Sequence, residues 1–135
     1  MDQSEWLHII NFGLVVLIWL VQLIIYPSFA QIRDAEFSSW HRRYVRKITA
    51  VVAPLMLAQL LLIIMTLINR PDAAAMLMLA CVLGIWLASF TLSVPCHKQL
   101  QDGGKNDQVI QRLVRTNWIR TILWTGVFLI GIFFH

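Results

Sequence analysis

Four stretches of the chain, roughly residues 6–26, 48–68, 73–94 and 118–134, are almost unbroken runs of Leu, Ile, Val, Ala, Met, Trp and Phe. Each is near the ~20 residues that a helix needs to cross ~30 Å of hydrocarbon. Backbone groups inside lipid must be paired within their own segment, and no ten-residue alternation suggests barrel strands, so the pattern predicts helices. The expected fold is all-α: one integral membrane domain, 1–135, built as a four-transmembrane-helix up-and-down bundle.

The polar residues inside these runs fall on stripes. In the first helix His8, Asn11, Val15, Trp19, Gln22 and Tyr26 recur at three- and four-residue steps, which places them on one face turned toward the bundle. Pro27 disturbs this helix, and residues 31–39 read as a polar connection in which Ser38 or Ser39 caps the next helix. That second helix starts near Trp40. It carries His41, Tyr44, Gln59 and Thr66 on one stripe, with Arg42, Arg43, Arg46 and Lys47 on the opposite side of its first turns. Pro54 should bend it and free a carbonyl near its middle. If the bend rotates the upper half, the alignment of His41 with Gln59 is lost.

Asn69-Arg70-Pro71-Asp72 is a tight turn into the third helix, where Ala73-Ala74-Ala75, Gly84 and Ala88 permit close packing. Its polar side holds Trp86, Ser89, Ser93 and, past Pro95, Cys96 and His97. Gly103-Gly104 should end it, and Asn106 or Asp107 should cap a last helix whose first turns project beyond the hydrocarbon. There Asn117, Arg120, Thr121 and Trp124 share a stripe.

Composition sharpens this picture in one respect. The chain is 59% hydrophobic and 13% charged, too apolar for a soluble domain of 135 residues. The net charge of +4 arises from two basic connections rather than from a nucleic-acid-binding surface. Arg33, Arg42, Arg43, Arg46 and Lys47 lie between the first two spans, and Lys98, Lys105, Arg112, Arg115 and Arg120 around the third connection, while Arg70 stands alone in the second. By the positive-inside rule both basic regions are cytoplasmic, and the N- and C-termini are outside. The first run lacks a basic leader and reads as a span rather than a cleaved signal. Cys81 and Cys96 lie on one helix and are not expected to pair.

This topology gathers Gln22, Tyr26, His41, Tyr44, Ser89, Ser93, His97, Asn117, Arg120 and Trp124 in the cytoplasmic half of the bundle, and leaves the outer half poorer in such groups. A polar side chain in hydrocarbon turns toward neighbouring helices or a wet cavity. The convergence therefore predicts a cytosol-facing pocket with aromatic walls. The candidate catalytic residues are His41, His97 and Arg120. Gln22, Tyr26, Tyr44, Ser93, Asn117 and Trp124 are candidates for holding the ligand. Each also has a plainer reading: Tyr44, Trp40 and Trp118 as interfacial anchors, Arg120 as a side chain reaching for phosphate, and Gln22, Ser89, Ser93 and Asn117 as hydrogen-bonding glue between helices.

No paired carboxylates, P-loop, CxxC or HExxH motif is present, and no metal ligand set or cofactor is expected. A bis-histidine haem on His41 and His97, or copper at Cys96-His97, are the lesser readings. Two segments, Val94-Pro95-Cys96-His97-Lys98-Gln99-Leu100 and Leu113-Val114-Arg115-Thr116-Asn117-Trp118-Ile119-Arg120-Thr121, resemble small four-helix bacterial membrane proteins of the anthrone-oxygenase-like family. The resemblance implies a multi-pass protein of the bacterial inner membrane that oxygenates a polycyclic phenol or related aromatic without metal or flavin.

Two functions follow from the residues. In the first, a flat phenolic, quinone-like or lipid-like ligand enters from the inner leaflet, His41 or His97 takes a proton, and Arg120 with Asn117 stabilises the oxyanion. In the second, the protein is a non-enzymatic membrane subunit or small transporter component whose polar groups only set packing. The expected partners are the bilayer and a hydrophobic small molecule, without nucleic acid; the sequence leaves a homo-oligomer open.

Overall fold

A computed structural model describes all residues, Met1–His135, and shows an all-helical protein without strands. Four helices run through it: α1 Gln3–Gln31, α2 Asp34–Asn69, α3 Ala73–Gly103 and α4 Asp107–Phe134, each long and apolar enough to cross a membrane. The interior has an apolar core, but the outer surface is apolar too, and a set of polar side chains is buried, unlike a water-soluble domain. Leu23, Leu57, Leu61, Leu77, Leu87 and Ile122 face outward, whereas Asn11, Gln22, His41, Gln59, Ser93, Asn117, Arg120 and Thr121 are buried.

Local chemistry sets the helix ends. Asp2 and Glu5 form a reciprocal capping box at the start of α1. Asn106 caps α4 by accepting from the Gln108 and Val109 N–H groups, after Gly104 has turned the chain at φ +80°. Asp72 caps α3 through the Ala75 N–H at 2.9 Å and also lies 3.1 Å from His135 Nε2. These two contacts, the backbone one first, hold its carboxyl below the usual carboxylate range.

One expectation about a boundary is corrected. Helix α2 begins at Asp34 with Arg33 as its flanking residue, so Ser38 and Ser39 lie inside the helix and cap nothing. The reason is Phe37: it is fully buried and stacks on His41 at 5.5 Å, which requires both on one helical face one turn apart. The polar residues read as a connection are the solvated side of that turn. Helix α2 continues through Pro54, and His41 and Gln59 on either side of it are both buried.

Helices α1 and α3 share a device that the pattern of residues does not announce. Each contains one wide π turn, Val21–Ile25 in α1 and Ser89–Ser93 in α3, and each has a proline two residues past it, Pro27 and Pro95. A proline ring collides with the carbonyl four residues back, here Leu23 and Thr91, and supplies no N–H to it. Widening the turn that holds those carbonyls relieves the collision, so both helices continue through their prolines instead of ending there.

Helix α4 is the spine. Against α1 it makes a sealed polar seam: Gln22 Nε2 donates to the Val114 carbonyl at 3.0 Å, while Gln22 Oε1 accepts from Asn117 Nδ2 at 3.0 Å and from Thr121 Oγ1 at 2.9 Å. Nearer the termini, Gln59 Nε2 donates to Asn11 Oδ1 at 2.7 Å and Trp124 Nε1 donates to Gln59 Oε1 at 3.0 Å. The half expected to be poor in polar groups is therefore tied by its own network. Trp19 departs from its stripe: it is 38% exposed, packs edge-on against Trp118 and donates to Thr125 Oγ1 at 3.1 Å. Replacing Gln22 with Leu should strand the Asn117 amide donor, while Thr121 falls back on the Asn117 carbonyl at 3.1 Å, and cost about 1–2 kcal/mol, read as a lower midpoint of detergent-induced unfolding.

Candidate functional site

Where α1 and α3 pass their π turns, the bundle holds a cavity of about 640 Å³. Most of its wall comes from α2 and α3. Its mouth lies between them, where Arg46 and Thr49 of α2 and Phe90 and Val94 of α3 are exposed. The inner wall comes from α1, through Leu17, Ile18 and Val21, and from α4, through Arg120 and Trp124. One end is aliphatic, with Val52 and Met56. The other carries the polar groups.

At that polar end four side chains form an unbroken hydrogen-bonded row. Tyr26 Oη lies 3.0 Å from His97 Nε2, His97 Nδ1 lies 3.0 Å from His41 Nε2, and His41 Nδ1 lies 2.9 Å from Gln101 Oε1. Gln101 Nε2 then donates to the Ser38 carbonyl at 3.2 Å. The row crosses three helices, α1, α3 and α2, and returns to α3. Phe29 buttresses it: fully buried, it meets Tyr26, Trp40, His41 and Tyr44 at ring separations of 5.2–5.6 Å, most of them edge-on. The Phe29 rosette and the stacked Trp40 and Tyr44 pair hold the imidazoles in place.

Arg120 occupies the adjoining wall. It is 8% exposed, and its Nη1 donates to Ser93 Oγ at 3.1 Å and Asn117 Oδ1 at 3.4 Å. Its Cζ sits 5.1 Å from the centre of the Trp124 ring, a cation–π contact, while the Trp124 N–H is taken up by Gln59. Arg120 enters no salt bridge, and its Nε has no acceptor. A guanidinium held by neutral groups beside an open cavity keeps its charge available to whatever enters.

Seven of the nine residues singled out from the sequence line this cavity: Tyr26, His41, Tyr44, Ser93, His97, Arg120 and Trp124. Gln22 and Asn117 do not. They stand behind the wall in the α1–α4 seam, where Asn117 holds Arg120 rather than facing a ligand. Both nitrogens of His41 and both of His97 are engaged, which leaves neither imidazole a free lone pair for haem iron.

Phe29, Phe37 and Gln101 were not singled out. Gln101 was legible: it continues the stripe of Ser93 and His97 at four-residue steps, once the helix is carried past Pro95. Phe29 was not, because nothing in the sequence distinguishes it from other apolar residues beyond a proline.

Compared with known proteins, the chain matches no family model, no curated protein sequence and no solved structure.

Proposed function

We propose that the chain spans a bacterial inner membrane four times with its basic end in the cytosol, and that the cavity takes a flat hydrophobic ligand carrying an acidic hydroxyl. The many large apolar side chains on the outer surface suit an apolar surround, and the two basic connections, joining α1 to α2 and α3 to α4, suit the cytoplasmic face. The ligand enters sideways between α2 and α3, passing Phe90 and Val94, with Arg42, Arg46 and Lys98 of the lining at the headgroup level.

The observation that carries this reading is the meeting of two things on one cavity wall: an arginine without a counter-ion, and a Tyr26–His97–His41 row able to accept a proton. A ligand hydroxyl gives its proton to Tyr26 Oη as Tyr26 gives its own to His97 Nε2. The products are a ligand oxyanion and an imidazolium, with Arg120 beside the oxyanion in a low-dielectric site. The resemblance of the segments around His97 and Arg120 to the anthrone-oxygenase-like family directs this toward tricyclic phenols. There the hydroxyl is the enol form of the anthrone carbonyl, so its anion carries carbanion character at the opposite ring carbon, which would react with dioxygen, converting the anthrone CH2 to C=O and releasing one water per dioxygen consumed.

A non-enzymatic subunit accounts for Gln22, Asn117 and Thr121, which bond to one another and fill their seam. It does not account for the cavity beside Arg120. The test is to add a hydroxyanthrone to the detergent-extracted full chain and record its absorbance and oxygen uptake. The expected result is the spectrum of the bound anion, followed by consumption of about one dioxygen per molecule, the stoichiometry of the reaction above. A probe that remains in its neutral spectrum at saturating protein would overturn this reading.

A further inference from the structure

We propose that Gln101 is a positioning residue: held by the Ser38 carbonyl, it fixes both histidines as Nδ1–H tautomers, so that His97 presents a bare Nε2 to Tyr26. Its consequence for catalysis rests on the ligand reading above, but the tautomers themselves do not.

The deduction starts from the one atom in the row that has no choice. A backbone carbonyl can only accept, so the Gln101 atom 3.2 Å from Ser38 O must be its NH2, and the amide oxygen must face His41. That oxygen can only accept as well. His41 Nδ1, 2.9 Å away, therefore carries the hydrogen. A neutral imidazole has one N–H, so His41 Nε2 is a lone pair, and His97 Nδ1 at 3.0 Å must be the donor to it. His97 Nε2 is then bare, and it accepts the Tyr26 hydroxyl at 3.0 Å. One amide, placed by one carbonyl, orders three successive protons in the same sense, from the cavity inward.

That polarity matters for what happens when a proton arrives. With His97 in the other tautomer, its Nε2 would already be protonated and could take nothing from Tyr26. In the ordered row a proton added at Nε2 leaves an imidazolium whose Nδ1–H already points at the His41 lone pair. Transfer of that hydrogen moves the charge to His41 without rotating any side chain. The row stops there, because an amide oxygen does not pass a proton on, so Gln101 orients the pair and takes no part in conduction.

The test is nitrogen-15 NMR on the full chain, histidine-labelled and held in detergent micelles without ligand, with His41 and His97 assigned by single replacement. Both should show a protonated Nδ1 and a bare Nε2, and Gln101→Met should shift at least His41 toward the Nε2–H form while the His8 and His135 signals stay put. A protonated Nε2 on either histidine of the unmodified chain at neutral pH overturns the proposal, and so does a Gln101→Met spectrum identical to it. The first of these needs no Gln101 variant to fold.

With the hydroxyanthrone probe, Gln101→Met should lower kcat about tenfold or more and leave KM nearly unchanged, since the amide, though at the polar end of the cavity, has its oxygen turned to His41 and its NH2 to the Ser38 carbonyl. An unchanged kcat would overturn the positioning role. If the unmodified chain fails to take the probe at all, the ligand reading falls, and the tautomer spectrum still decides this proposal.

Discussion

His97→Phe is expected to lower turnover of the hydroxyanthrone probe by about 10²–10⁴-fold, the range associated with removing a general base, while the probe still binds. Phenylalanine keeps the ring volume packed by Phe29 at 6.1 Å and by His41 at 5.2 Å, so the aromatic scaffold persists. What disappears is the nitrogen that accepts the Tyr26 hydroxyl. A cavity-bound hydroxyl would then find Tyr26 with no acceptor behind it. Anion absorbance at saturating protein measures this directly. A His97→Phe protein that still generates the anion at the original rate would place the base elsewhere.

Arg120→Met should move binding and stability in opposite directions. A hydrogen bond from a charged donor contributes about 1.5–3 kcal/mol, so affinity for the anionic probe should fall roughly 10- to 150-fold. Stability should hold or rise, because the substitution removes a buried charge that no carboxylate compensates and puts a side chain of similar length in its place. Asn117 keeps its bond to Gln22 and Ser93 loses one donor, so the seam stays closed. Under a packing-only role the same variant should lose stability. Paired measurements of unfolding midpoint and probe affinity therefore separate the two functions. Arg120→Lys should not restore binding, since an ammonium keeps the charge but sits on a shorter stem and lacks the planar guanidinium whose Nη1 bonds Ser93 and Asn117 while its other nitrogens stay available.

The division between what could and could not be read from the chain has physical reasons. The four helices and the convergence of their polar faces follow from length, hydropathy and a 3.6-residue period, all of them local properties. Gln22 and Asn117 illustrate the limit: at the level of spacing, an amide that faces a ligand and an amide that faces another amide look the same. Only the Gln22 Oε1 to Asn117 Nδ2 contact assigns them to the seam. The early start of α2 was hidden because residues 34–39 mix one buried phenylalanine with a solvated face. The mouth of the cavity depends on the separation of α2 and α3, a tertiary quantity with no signature in either helix.

The paired π turns have a consequence for how such a site comes to exist. A wide turn inside an α-helix amounts to one surplus residue, and it swings every side chain beyond it by about 100° relative to an uninterrupted helix. Tyr26 and His97 both lie downstream of such a turn, and so owe their bearings to it. Deleting one residue from each wide turn would restore two regular helices and carry phenol and imidazole apart. The reverse path makes the constellation accessible from a plain bundle through two single-codon insertions, and Pro27 and Pro95, whose rings crowd the carbonyls of a regular turn, then favour the widened form.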